Sequence, residues 1–291
     1  MGGRGEREFA ASFIGPGRSV TIQESHGATY EIEDAAEQMP PMDFKVVGVE
    51  LKDQPYATDE ELQKLAGARL PHLESIVLLK QPQLSPTGLQ YLADAYPRLK
   101  FLNLSGMTGV KKDRQGGLNA ADLLPVVQQF GQLDRIVIDS KWGEKEETTA
   151  WADGLADMKS LRHVEFQQFV TGEAMTNLSK HGGIETLVLA TPAVSDETLA
   201  HAPEITSVRH LKIHGFALAL TSAGVKHLEQ MEGLETLSFA YGYQDNRYMN
   251  FTRDDLRAVA AALPNCRVTF FEDGKHVTIS ADAPGSPSAD N

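Results

Sequence analysis

Residues 221–239 read TSAGVKHLEQMEGLETLSF, and this stretch changes period in its middle. Up to Met231 the apolar residues Val225, Leu228 and Met231 recur three apart, which marks one face of a helix. After Leu234 the order becomes Leu237-Ser238-Phe239, the alternation of a half-buried strand. Thr221 stands where a helix N-cap belongs, with a side-chain oxygen that can accept from a free amide. The stretch therefore specifies one helix, a turn and one strand, with an apolar side that such a unit cannot bury alone.

The same unit recurs along the chain. Its second half, Leu-x-x-Leu-x-x-Leu-x-Leu with apolar substitutions, appears as Leu70-Leu73-Ile76-Leu78, Tyr96-Leu99-Leu102-Leu104 and Phe130-Leu133-Ile136-Ile138. It returns as Met158-Leu161-Val164-Phe166, Ile184-Leu187-Leu189, Ile205-Val208-Leu211-Ile213 and Met231-Leu234-Leu237-Phe239. Weaker copies are Val46-Val49-Leu51 and Leu263-Cys266-Val268-Phe270. Helix caps are expected at Thr58, Ser85, Asn119, Thr148, Thr171, Ser195, Thr221 and Thr252.

From each cap to the next strand centre the count is 16 to 18 residues; from strand centre to next cap it ranges from 7 to 17. The near-constant leg is the packing unit, since one extra residue there would turn the apolar stripe off the core. The variable leg is surface loop, where added length costs little free energy. Insertions therefore gather on one edge of the array, after the strands.

Segments such as SPTGLQYLADAYPRLKFLNLSG and TSAGVKHLEQMEGLETLSF resemble the repeats of bacterial leucine-rich-repeat proteins of the ribonuclease-inhibitor-like type, and LPNC at 263–266 is similar to the cysteine-containing variant. The resemblance implies an α/β, right-handed solenoid or horseshoe of about eight or nine repeats, with parallel strands on the concave face and helices on the convex face. It covers roughly residues 44–271 and is nearly silent on function. The Asn that usually follows the strand is mostly replaced, by Gln81, Met107, Lys141, Phe169, Pro192 and Phe216, so less regular inner turns are expected.

The expected layout has an N-terminal extension and cap over 1–43, the repeats over 44–271, and a hairpin cap with a disordered tail over 272–291. A hairpin is expected within 19–33 and another over 268–280 around Asp273-Gly274, because Asp-Gly favours the tight turn. EDAAEQM reads as a short helix, and the flanks MGGRGER and DAPGSPSADN read as disordered.

The formal charge of −13 speaks against a nucleic-acid partner, which calls for a basic face. The lone Cys266 excludes an intramolecular disulfide and reads as a small buried hydrophobe. No stretch is apolar enough for membrane insertion, no cofactor or metal motif stands out, and the expectation is a soluble, monomeric array in the cytoplasm. A secreted location would follow if a signal peptide had been removed. Catalytic signatures are missing, so the expected role is non-enzymatic protein recognition; the alternative is a scaffold or adaptor within a larger assembly.

Three candidate surfaces follow. The stretch after Phe239 groups Tyr241, Tyr243, Arg247, Tyr248 and Phe251; Tyr and Arg suit binding hot spots, though the rings could equally hold the loop in place. The basic loop with Lys111, Lys112 and Arg114 could grip a phosphate or an acidic patch but reads first as solvated, and Glu144, Glu146 and Glu147 in the next acidic loop could neutralise it. Trp142 in that acidic loop either tucks into the core or anchors a partner. The strand positions that alternate with the buried ones bring His163, Glu165, His210, Lys212 and His214 around Thr186 and Val188, either as a polar recognition patch or as ordinary sheet surface. His210 and His214 are four residues apart on a strand, roughly 13 Å, too far to share a metal ion.

Overall fold

Nine strands run parallel in one open sheet, side by side in chain order. They are β3 (Phe44–Lys52), β4 (Ser75–Leu79), β5 (Phe101–Asn103), β6 (Arg135–Ile138), β7 (His163–Phe166), β8 (Thr186–Ala190), β9 (His210–His214), β10 (Thr236–Ala240) and β11 (Arg267–Glu272). Among the described residues each connection carries one α-helix: α2 (Asp59–Gly67), α3 (Pro86–Ala95), α4 (Ala120–Val127), α5 (Lys145–Leu155), α6 (Gly172–Ser179), α7 (Asp196–Ala200), α8 (Ser222–His227) and α9 (Arg253–Ala262). The computed structural model describes residues 2–34, 39–53, 56–107, 119–139, 145–167, 169–190, 194–214, 219–240, 250–272 and 275–279. A parallel strand and a helix per unit, stacked in order, is the leucine-rich-repeat solenoid.

The register follows the apolar pattern. Val49, Ile76, Leu102, Ile136, Val164, Leu187, Leu211, Leu237 and Val268 form one row across the sheet. Each is at most 2% exposed, and full burial of such a side chain contributes roughly 1.5–3 kcal/mol. Facing them are the helix stripes, for example Leu89 and Leu92 of α3 and Leu256 and Val259 of α9. The thiol of Cys266 packs against this core, and burial pushes its pKa up to about 11.

Helix starts are knitted together. The Ser85 hydroxyl caps the Thr87 amide at 3.1 Å, while Ser85 donates its own amide to Asp59 of the preceding helix at 2.8 Å. Thr221 repeats the arrangement on Asp196, with amide and hydroxyl donating at 2.7 and 2.6 Å. Such close approach requires glycine at the third helical position: a Cβ on Gly88 or Gly224 would lie 2.3 Å from the carboxylate oxygen. One expected cap is corrected. α5 begins at Lys145, three residues before Thr148, so Glu146 and Glu147 occupy its first turn, where carboxylates oppose the positive helix end. Thr148 is instead buried inside the helix and donates its hydroxyl to the Phe169 carbonyl.

Gln81 stands at one of the positions where the Asn is replaced. It is fully buried, accepts from the Ala57 amide at 2.6 Å, and donates to the Asp53 and Leu79 carbonyls at 3.1 Å each. These bonds tie the turn after β4 to the turn after β3.

Antiparallel strands flank the parallel array. β1 (Arg18–Glu24) pairs with β3 on one side and β2 (Thr29–Ile32) on the other, and β12 (Lys275–Ile279) returns along β11. The expectation of disorder for MGGRGER is overturned: α1 (Gly2–Phe13) runs through it. Its charged residues concealed an amphipathic helix in which Phe9, Ala10 and Phe13 meet the core and Glu6 accepts from the Val46 amide at 3.2 Å. Residues 35–38, the middle of the helix expected in EDAAEQM, and residues 282–291, the expected disordered DAPGSPSADN, lie outside the described residues. Among the described residues no helix is long and apolar enough to cross a membrane.

Candidate functional site on the concave sheet face

Side chains between the buried rows point to the concave face, and the strand register sorts them into lines. The first line runs Gly48, Ser75, Phe101, Arg135, His163, Thr186, His210, Thr236 and Arg267. The second runs Glu50, Val77, Asn103, Val137, Glu165, Val188, Lys212, Ser238 and Thr269. Farther along the strands His214 lies between Ala190 and Ala240, and on the closing hairpin Phe271 lies opposite His276. Neighbouring lines of strands are about 4.8 Å apart, so His163, Glu165, His210, Lys212 and His214 share one surface around Thr186 and Val188. Val137 and Val188 are themselves covered, at 2% and 4% exposure, so this surface is carried by the longer side chains around them.

The polar groups are unevenly satisfied. Arg135 lies over the Phe101 ring at 4.7 Å, a cation–π contact, and reaches Glu165 at 3.5 Å. Gln167 donates to the other Glu165 oxygen at 2.9 Å. His210 shares a 2.9 Å hydrogen bond with the Thr236 hydroxyl. The Nε2 of His163 is sealed from solvent without a hydrogen-bond partner. Its burial, followed by repulsion from Arg135 and Lys212, lowers its pKa to about 4, so the ring is neutral at pH 7. Burial also lowers His214; Lys212 and His276 add to this and Glu165 opposes it. The side chains of Lys212 and Arg267 are exposed, and neither side chain forms a hydrogen bond or ion pair among the described residues.

The opposite end of the face is self-contained. Lys52 stands 3.0 Å from Glu50, 3.3 Å from Glu31 and 3.9 Å from Glu33. The Ser19 hydroxyl chiefly holds the Glu31 carboxyl below its ordinary range, while burial raises Glu50.

One line was hidden in the spacing. The residues immediately before β4 to β10 are Glu74, Lys100, Asp134, Arg162, Glu185, Arg209 and Glu235, alternating in sign at every step. Backbone bonds fix their positions: the amides of Lys100 and Phe101 both donate to the Glu74 carbonyl at 2.9 Å, and the pattern repeats on Lys100, Asp134, Arg162, Glu185 and Arg209. Lys100 meets Glu74 at 2.7 Å, and Arg162 meets Glu185 at 3.8 Å. Aligning the repeats on their strand centres exposes this order in the sequence; reading each repeat separately does not.

Tyr241, Tyr243, Arg247, Tyr248, Trp142, Lys111, Lys112 and Arg114 lie outside the described residues. Phe251, grouped with the tyrosines by sequence, is core: it is 5% exposed and tilts against Phe239 at 5.3 Å. Among the described residues no three His, Cys, Asp or Glu side chains are grouped to hold a metal ion. A cleft of about 630 Å³ beside Arg69, Tyr91 and Arg98 opens between α2 and α3, away from the concave lines.

No family model matches the chain, and none of the curated proteins matches it. Among solved structures, an internalin from Listeria monocytogenes is similar at 12% identity and a TM-score of 0.39, over 82% of this chain and 66% of that one. The TLR13–ssRNA13 complex is similar at 11% identity and a TM-score of 0.37, over 78% of this chain and 37% of that one. A leucine-rich-repeat protein of Leptospira interrogans gives 10% identity and a TM-score of 0.24, over 71% and 80%. Likeness at this level bears on neither ligand nor activity.

Proposed function

We propose that the chain is a non-enzymatic protein-recognition module. It binds a protein partner across the C-terminal half of the concave face, and the downstream loops with Trp142, Tyr241, Tyr243, Arg247 and Tyr248 extend the contact. The observation that carries this reading is the aligned, open surface from Arg135 to Arg267, on which Lys212 and Arg267 hold charges with no hydrogen bond or ion pair among the described residues. A rigid solenoid presents such a surface without having to order it on binding, which lowers the entropic cost of association.

Site-specific photo-crosslinking tests the reading. A crosslinker replacing Lys212 should capture a discrete partner from the native lysate, whereas one replacing Glu173 on α6 should not. Capture only from the terminal elements α1 and β12 would replace this reading with the scaffold role.

A further inference from the structure

The chain carries 13 more acidic than basic side chains, yet its concave C-terminal half runs the other way. Strands β6 to β11 place Arg135, Lys212 and Arg267 there, with the imidazoles of His163, His210 and His214, and the closing hairpin adds His276. Glu165 is the one carboxylate in the two concave lines across those strands, and Arg135 and Gln167 already occupy it. The alternating line upstream nearly cancels within itself and so leaves Lys212 and Arg267 uncompensated. From Arg135 to Arg267 there are five strand-to-strand steps, or about 24 Å, the length of roughly seven extended residues.

We propose that this cationic strip receives an extended acidic segment of the protein partner, lying across the strands with its carboxylates directed to Lys212, Arg267 and Arg135. The inference rests on the recognition role given above and names the chemistry of its partner. A peptide suits the strip better than a nucleic acid does. It can space its carboxylates to avoid Glu165, whereas a phosphate backbone charged at every unit meets both Glu165 and the field of an acidic protein. Unpaired cations on an otherwise acidic molecule would also orient the approach of such a segment.

The test uses the full chain and a fluorescent oligoglutamate of about seven residues, followed by anisotropy at low salt. Oligoglutamine of equal length and an oligouridylate of equal charge serve as comparison probes. Lys212→Glu with Arg267→Glu should weaken oligoglutamate binding by about tenfold or more. The charge-matched pair Lys64→Glu with Lys226→Glu, both exposed on helices, should leave it nearly unchanged. Absence of binding, equal weakening by both pairs, or oligouridylate bound more tightly than oligoglutamate would each overturn the proposal. Crosslinking separates the two readings. A partner captured at position 212 that oligoglutamate does not displace removes the acidic segment and keeps protein recognition. Oligoglutamate binding without any captured protein keeps the anion site and removes the recognition role.

Discussion

The line of residues just upstream of the strands runs Glu74, Lys100, Asp134, Arg162, Glu185, Arg209 and Glu235, and the line one residue farther on runs Ser75, Phe101, Arg135, His163, Thr186, His210, Thr236 and Arg267. The first alternates in sign and holds the carbonyls that anchor each following strand. The second contains no carboxylate. Both sit on the same backbone at the same spacing, so the fold does not impose their difference. In the first line backbone carbonyls secure the stacking while side-chain charges of opposite sign stand next to one another; in the second, the Arg267 side chain has no partner among the described residues.

The comparison depends on the apolar rows beneath it, and breaking those should give the largest effect. Leu102→Ala or Leu211→Ala, each at a fully buried position, should cost about 2–5 kcal/mol in urea denaturation. A loss below about 1 kcal/mol would mean that these rows do not support the lines above them.

A smaller effect should come from pH. His163 falls from an ordinary value of 6.5 to about 4 in the folded chain. Between those values the unfolded chain takes up a proton that the folded chain refuses, so stability should fall as pH drops through this window and level off below it. Solvent reaches part of the ring, which limits the expected loss to about 1 kcal/mol. His163→Gln should flatten that part of the pH profile relative to wild type, and an unchanged profile would remove His163 as its source.

Smaller still is reversal within the alternating line. Lys100→Glu would set three carboxylates in consecutive repeats and should destabilise by roughly 0.5–1 kcal/mol, an effect that molar salt should reduce. The smallest change is expected one line away: Arg267→Glu should alter stability by less than about 0.5 kcal/mol, since its side chain forms no hydrogen bond or ion pair among the described residues. Equal effects of the two reversals in thermal or urea melts would erase the distinction between the lines.

The parallel array was legible because every repeat restates the same apolar interval, and a register error in any strand would expose all its buried side chains. The concave lines were legible for the same reason, since alternation in a strand assigns each residue to a face. α1 was missed because its apolar residues Phe9, Ala10 and Phe13 form a single short stripe among glycines and charges, with no repeat to reinforce it. Thr148 was misread because a threonine suits a helix cap and equally a buried position where its hydroxyl finds a carbonyl, as it does at Phe169. The role of Phe251 stayed open in the sequence because nearness to the tyrosines says nothing about which rings reach the core. The satisfied and unsatisfied groups at Glu165, His163 and Lys212 depend on distances between strands, which no single repeat encodes.

The alternating line upstream of the strands also sets a parity rule for how such an array can change length. Excising the unit that brings Asp134 would seat Lys100 beside Arg162, and excising any other interior unit of the series likewise leaves two like charges as neighbours. Loss or duplication of two adjacent units preserves the alternation. This edge therefore favours growth and shrinkage in pairs, as though the heritable module were two turns of the coil.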